Sequence, residues 1–291
     1  MPPPGASRIL VLRRGGLGDT LLMLPVLRAL RRAHPAAELH FAGALEFAAV
    51  LAAHGACDRA RASEDLSLWS PVAARERLRA YRLVFADDPA AARAAPPGTS
   101  VSTFEVRSRG ATPIARQIAD SLGLAVRWPE DTWLQAPVAG PRPGPLVLAP
   151  GSGGRTKCWP RERWLELAAQ LAAHERQVVV GPAELERDDP RRWPWPAATT
   201  FVVEPQVTAL AARLAGAAAF VGNDSGPTHL AAMLGVPTVA VFGPSDARIW
   251  APVGPHVRVV VGRDGLGAVG PDAIVSALQA CRQFSLDGPP R

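Results

Sequence analysis

FVGNDSGPTHLAAMLGVPTVAVFGPSD, residues 220–246, reads as strand, turn, helix and strand in immediate succession. An apolar run over Ala218–Gly222 predicts a buried strand. It delivers Asn223, Asp224, Ser225 and Gly226 to a helix start that carries Pro227 and Thr228. Asp224 and Ser225 are residue types that cap helices, and proline suits the first helical turn, where its missing N–H costs nothing. The next apolar run, Thr238–Gly243, predicts a second strand. Two buried strands joined by a helix imply parallel pairing and an α/β layer. The free N–H groups and positive dipole end of such a helix form an anion site, so local structure and ligand binding predict the same residues here. His229, taken alone, reads equally as a hydrogen-bonded structural histidine.

The same alternation extends upstream. Strands are predicted at Leu146–Pro150, Gln177–Gly181 and Thr200–Glu204, with helices near Arg161–His174 and Val207–Ala215. The first of these strands opens into Gly151, Ser152, Gly153, Gly154, Arg155, Thr156 and Lys157. Flexible backbone and two cations at the carboxyl end of a strand suit an anionic ligand. The local alternative is a solvated turn in which Arg155 and Lys157 face water. Trp193 and Trp195 stand in a proline-punctuated segment and read as a packed surface loop.

Before the proline- and glycine-rich stretch Ala136–Pro145, which can continue neither helix nor central strand, a first α/β unit is predicted, with strands at Arg8–Arg13, Glu38–Gly43 and Arg82–Asp87. Its opening segment, RILVLRRGGLGDTLLMLP, runs from a strand through Gly15, Gly16 and Gly18 to Asp19 and an apolar helix. The glycine spacing is neither that of a dinucleotide fingerprint nor that of a P-loop. Asp19 reads locally as a helix N-cap. The expected organisation is therefore residues 1–140, residues 145–270, and a final helix within 271–291.

Composition narrows the class. The 291 residues are 48% hydrophobic and 20% charged, as in ordinary globular proteins. A net charge of +6 favours acidic partners such as phosphates or an anionic membrane surface. Zinc-finger spacing and aromatic RNA-binding signatures are absent, so nucleic acid is not an expected partner. Three scattered cysteines, Cys57, Cys158 and Cys281, form neither a disulfide framework nor a zinc motif. The N-terminal apolar run is too short for a signal peptide, which predicts a cytoplasmic protein. With no D-x-D pair to hold a metal–diphosphate complex, metal-independent chemistry without a cofactor is expected.

Taken together, the GxLGDxxxxxP segment, the PGSGG…KCWP loop and the block at 220–246 resemble glycosyltransferase family 9, the heptosyltransferases. The resemblance covers most of the second half and the first strand–turn–helix; it does not extend to the region from about Leu45 to Pro143, which would hold the acceptor. It implies a GT-B fold, two Rossmann-like domains facing across a cleft, with the final helix crossing back to the first. It further implies an inverting enzyme that takes sugar from a nucleotide-diphosphate sugar, ADP-heptose above all, to a lipopolysaccharide-core or related glycan or glycolipid acceptor, with peripheral contact at the inner membrane. Residue by residue, Asp19 resembles the catalytic base and Gly18 a donor-binding glycine beside it. Ser152 and Lys157 resemble the diphosphate site. Asp224, Ser225 and Gly226 resemble the donor loop, with His229 as its support, and Glu184, with Glu186 in reserve, resembles the acidic residue at the donor ribose. A catalytically silent sugar-nucleotide binder and a GT-B-like epimerase are the alternatives. Paired carboxylates for epimerisation are not evident in the sequence.

Overall fold

The computed structural model describes residues 7–106, 110–135 and 142–281. The chain divides into two compact units, Met1–Leu134 and Gln135–Arg291. The predicted boundary stretch falls largely on residues 136–141, and the end of the predicted final helix on residues beyond 281; both lie outside the described residues.

In the first unit, β1 (Arg8–Leu12), β2 (Glu38–Gly43), β3 (Arg59–Ala62), β4 (Leu83–Ala86) and β5 (Ser100–Thr103) form one sheet in the order β3-β2-β1-β4-β5. All its pairings are parallel, with Leu12 opposite Ala42 on one side and Ala86 on the other. Leu10 and Leu12 join a core with Ala42, Leu78, Tyr81 and Val84, while the alternate residues Ile9 and Val11 are equally buried. A strand apolar on both faces belongs in the middle of a sheet covered by helices on both sides.

The second unit repeats the plan with one strand more. β6 (Leu146–Ala149), β7 (Arg176–Val179), β8 (Thr199–Val202), β9 (Ala219–Asn223), β10 (Thr238–Phe242) and β11 (Val257–Val261) lie in the order β11-β10-β9-β6-β7-β8, again all parallel. Counted from β6, this is the doubly wound dinucleotide-fold order. Its core gathers Leu146, Leu148, Val178, Val221, Val239 and Val241 from the strands under Trp159, Trp164, Ile274 and Leu278. The helix Pro271–Ala280 packs on this unit, against the helix Arg161–Gln170 and strands β10 and β11.

Every strand predicted from sequence is present, shifted by no more than a few residues. β3, β5 and β11 were not anticipated. The first two are edge strands of sequence RARA and SVST, short and largely accessible, so they carry no apolar run and almost no large apolar side chain. They exist because β2 and β4 offer unpaired backbone to bond with.

In each sheet the chain reverses its direction of winding at one place: between β1 and β4 in the first, between β6 and β9 in the second. Loops leaving the carboxyl ends of those two strands diverge there, which opens the crevice where such sheets hold ligands.

Candidate functional site

At the first crevice, β1 ends in Arg13, Arg14, Gly15 and Gly16 before the short helix Leu17–Leu21. Gly18 and Asp19 are the second and third residues of that helix. The carboxylate of Asp19 folds back, its Oδ2 accepting the Gly16 N–H at 3.0 Å. Gly15 makes room for it. The backbone there has φ +145°, and a Cβ would stand 2.6 Å from Asp19 Oδ2. Asp19 is therefore not the N-cap, which is Gly16; it belongs to the first helical turn and reaches back to the cap. A residue at this third position satisfies one orphan N–H and places its charge against the positive helix end.

The other oxygen, Asp19 Oδ1, accepts from Arg13 Nη2. Arg13 Nη1 donates to Asp87 Oδ2 at 3.0 Å and also to the Arg14 carbonyl. Asp87 follows β4 directly, on the far side of the crevice, and its Oδ2 takes a second bond from the Arg14 N–H at 3.0 Å. Beside it, Asp88 caps the helix Pro89–Arg93 through the Ala90 N–H and pairs with Arg14 at 2.8 Å. One guanidinium thus bridges two carboxylates, and the cluster of Arg13, Asp19 and Asp87 carries a net single negative charge.

At the second crevice the signs are reversed. Asp224, just beyond β9, is buried, and Lys157 Nζ sits 2.7 Å from its Oδ2, with His229 Nε2 at 3.9 Å from its Oδ1. Burial would raise the Asp224 carboxyl; the bonds from His229, Lys157 and Ser245 outweigh it and hold the group at about 2. Lys157 is thus not simply solvated, whereas Arg155 is exposed. The Ser152 hydroxyl is buried and donates to the Asp224 carbonyl at 2.7 Å, tying the loop after β6 to the loop after β9. Asn223 makes the same tie from inside: its Nδ2 donates to the Pro150 carbonyl at 2.7 Å and its Oδ1 accepts the Trp159 N–H at 3.0 Å.

Ser225 is the N-cap of the helix Gly226–Met233, with Pro227 in its first turn as expected. Its hydroxyl caps no backbone N–H; it bonds the Thr228 hydroxyl at 3.1 Å instead, because Thr228 is itself turned inward to the Asn223 carbonyl at 2.5 Å. Of the two caps predicted, Ser225 holds the N-cap position, although its hydroxyl bonds a side chain instead of the helix backbone; Asp224 is corrected, since its carboxylate is taken by a cation.

Glu184 lies in the turn after β7, in the helix Pro182–Arg187. Its Oε2 accepts the Gly181 N–H at 2.7 Å, and its other oxygen lies where a Cβ on Gly151 would stand 1.9 Å away. A pocket of about 300 Å³ opens here, lined by Ser152, Glu184, Arg155, Arg161, Arg187 and Trp193 among others. Arg187 fixes its wall by donating to the Ser152 and Gly153 carbonyls at 3.2 and 3.0 Å. Glu186 is exposed and does not line it. Trp193 and Trp195 stack at 5.6 Å and pack on the core, with Arg161 over the Trp193 ring.

The structure therefore gathers Ser152, Lys157 and His229 around Asp224, with Ser225 and Gly226 opening the adjoining helix, and sets Glu184 beside Ser152 at the pocket. Gly18 and Asp19 stand at the crevice of the first unit. Sequence reading missed Arg13, Asp87, Arg187 and Ser245. Arg13 and Asp87 are 74 residues apart, and only the pairing of β1 with β4 makes them neighbours. Lys157 had a signal that was available: it is the only lysine in a chain of 32 basic residues.

A model of glycosyltransferase family 9 (heptosyltransferase) matches residues 121–266. Lipopolysaccharide heptosyltransferase 2 of Salmonella typhimurium is 32% identical over 127 residues, 40% of this chain and 36% of the relative, so the match spans about a third of that protein's length. The solved structure of E. coli heptosyltransferase WaaC with ADP superposes with a TM-score of 0.72 at 21% identity, covering 94% of this chain and 99% of that one. WaaC with ADP-2-deoxy-2-fluoro heptose gives 0.69 at 21% identity over the same shares. At that identity these likenesses establish the fold, which is GT-B.

Proposed function

The chain belongs to glycosyltransferase family 9, and from that premise we propose that it is an inverting, metal-independent glycosyltransferase. It moves a sugar, heptose by first choice, from a nucleotide-diphosphate sugar to a lipopolysaccharide-core or related glycan acceptor. The observation that carries the reading is the contrast between the crevices of the two units: a carboxylate presented at the first, and a lysine, a histidine and a helix start grouped at the second. ADP-heptose is the proposed donor, in line with the ADP-sugar bound to the solved WaaC structure.

In this mechanism the acceptor hydroxyl oxygen attacks the anomeric carbon while the bond from that carbon to the diphosphate oxygen breaks on the opposite face. Asp19 takes the hydroxyl proton; general-base help of this kind is worth about 10²- to 10⁴-fold in rate. The negative charge that develops on the departing diphosphate is met by Lys157 and by the N–H groups opening the helix Gly226–Met233. Glu184 accepts from the donor ribose, and its bond to the Gly181 N–H holds it in place without using its second oxygen.

A glycolipid acceptor would bring the enzyme to a membrane. Among the described residues no helix is long and apolar enough to cross one. Trp69 and Val72 are 74% and 82% exposed beside Arg75, Arg77 and Arg79, and we place peripheral contact with an anionic surface there. Trp69→Ser with Val72→Ser should reduce co-sedimentation with phosphatidylglycerol vesicles at low salt several-fold; unchanged sedimentation would remove the contact from this patch.

The function is tested by incubating the protein with ADP-heptose and a lipopolysaccharide-core oligosaccharide in EDTA and reading the product's anomeric configuration by NMR. An inverted glycoside is expected. Retained configuration, or strict need for added divalent metal, would overturn the mechanism. Donor altered without acceptor would identify an epimerase, and binding without consumption a silent receptor.

A further inference from the structure

We infer that Arg13, anchored by Asp87, is a positioning residue that aims the Asp19 carboxylate. The inference rests on Asp19 being the base, and extends it to two residues that no motif marks.

The geometry is that of a clamp. The Arg13 guanidinium is largely buried, with its side chain 11% exposed, and each of its two terminal nitrogens has a different carboxylate. Asp87 is more buried still and takes two donors on Oδ2, Arg13 Nη1 and the Arg14 N–H, both at 3.0 Å. Its other oxygen, Oδ1, is buried with no partner among the described residues. A buried, half-satisfied carboxylate costs stability, and where a fold keeps one an explanation is required. Holding Arg13 supplies it.

The electrostatics explain why one carboxylate would not suffice. An arginine paired with Asp19 alone would lend it a full positive charge, and a carboxylate so paired is a poor proton acceptor. Sharing that charge with Asp87 leaves the cluster at net minus one, with Asp19 held in direction. The remaining charges near Asp19 leave this balance standing. Arg14 is engaged by Asp88, and the helix Leu45–Ala53, packed against the helix of Asp19, brings only the exposed Glu46 in its first turn. The fixed planar fork of arginine can grip two carboxylates at once, which the single ammonium of lysine cannot do with the same geometry.

The test has one arm that needs no turnover. In ¹⁵N spectra of the guanidinium side chains, assigned with Arg13→Lys, the Arg13 Nη signals should be separately resolved in the unsubstituted protein, because rotation about the guanidinium bond is blocked. They should merge in Asp87→Ala. If they remain resolved in Asp87→Ala, the anchor is refuted, whatever reaction the protein catalyses. The second arm measures transfer from ADP-heptose to a lipopolysaccharide-core oligosaccharide. Asp87→Ala should lower kcat at least tenfold with KM changed less than threefold, and Asp87→Asn, which keeps shape but not charge, should also fall. In an Asp19→Asn background, Asp87→Ala should add less than a twofold loss, since the clamp has nothing left to aim. An equal loss in both backgrounds overturns the positioning role. Absence of transfer by the unsubstituted protein refutes the proposed function alone, and the spectral arm still decides the clamp.

Discussion

The two crevices are built on the same topology around central ions of opposite sign. In the first, one cation stands between two carboxylates; in the second, one carboxylate stands among a lysine, a histidine and a serine. Each central ion is fixed by a partner from the far strand of its switch point: Asp87 follows β4, and Lys157 follows β6 while Asp224 follows β9. The fold thus supplies a place where two distant loops must meet, and side-chain charge decides what that place attracts. A net negative crevice suits removal of a proton from a neutral hydroxyl. A crevice whose carboxylate is already neutralised, beside a helix start, suits a diphosphate.

The sharpest way to break this comparison is Asp19→Asn. The amide oxygen can still accept the Gly16 N–H, but it takes up no proton, so turnover should fall at least about a hundredfold, the low end of general-base effects. Thermal stability should fall only slightly, because the residue lies in the first helical turn, is only partly buried and keeps its bond to the cap, losing only the bond from Arg13. Turnover within a few-fold of the parent together with a lowered Tm would reduce Asp19 to a helix-end residue and remove the first crevice from the chemistry.

Next in size is Lys157→Ala, which should weaken ADP binding by about 10- to 100-fold, the range for a lost bond to a charged group. Adenosine affinity should hardly change. Calorimetry with both ligands separates the outcomes, and equal weakening of the two would mean a damaged fold instead of a lost phosphate contact.

The smallest effect sharpens the second crevice alone. Asp224 is held at about 2 against an ordinary 3.8, so its contribution to stability is complete above about pH 4 and is lost as the pH falls through about 2. By linkage this amounts to about 2 kcal/mol at most. Lys157→Met removes one of the groups that depress it and leaves the burial that opposes them, so the acid loss should begin at higher pH. Urea midpoints measured from pH 2 to pH 7 would show it; coincident curves for the two proteins would mean that the ion pair contributes nothing in solution.

Both Gly-rich turns and the block at 220–246 were legible in the sequence because what makes them is local. A strand's apolar run, the glycines that let Asp19 fold back, and Pro227 in a first turn all act within a few residues. The places where local reading failed are the places where a distant partner intervened. Ser225 is the cap its residue type announced, yet Thr228 claimed its hydroxyl. Asp19 looked like a cap, yet stands three residues past it. Strands β3 and β5, with sequences RARA and SVST, form at the margins of the sheet from backbone bonds their side chains do not announce.

The sequence by itself determined the α/β alternation, the two glycine-bearing turns and the residue types at their tips, because periodicity and turn chemistry are properties of neighbouring residues. Only the tertiary structure decided which of those residues meet. Lys157 and Asp224 are 67 positions apart, and Arg13 and Asp87 are 74. Their contacts follow from strand order, which brings β6 beside β9 and β1 beside β4. That order is set by which faces bury against which helices, a global packing choice that no short window of residues contains.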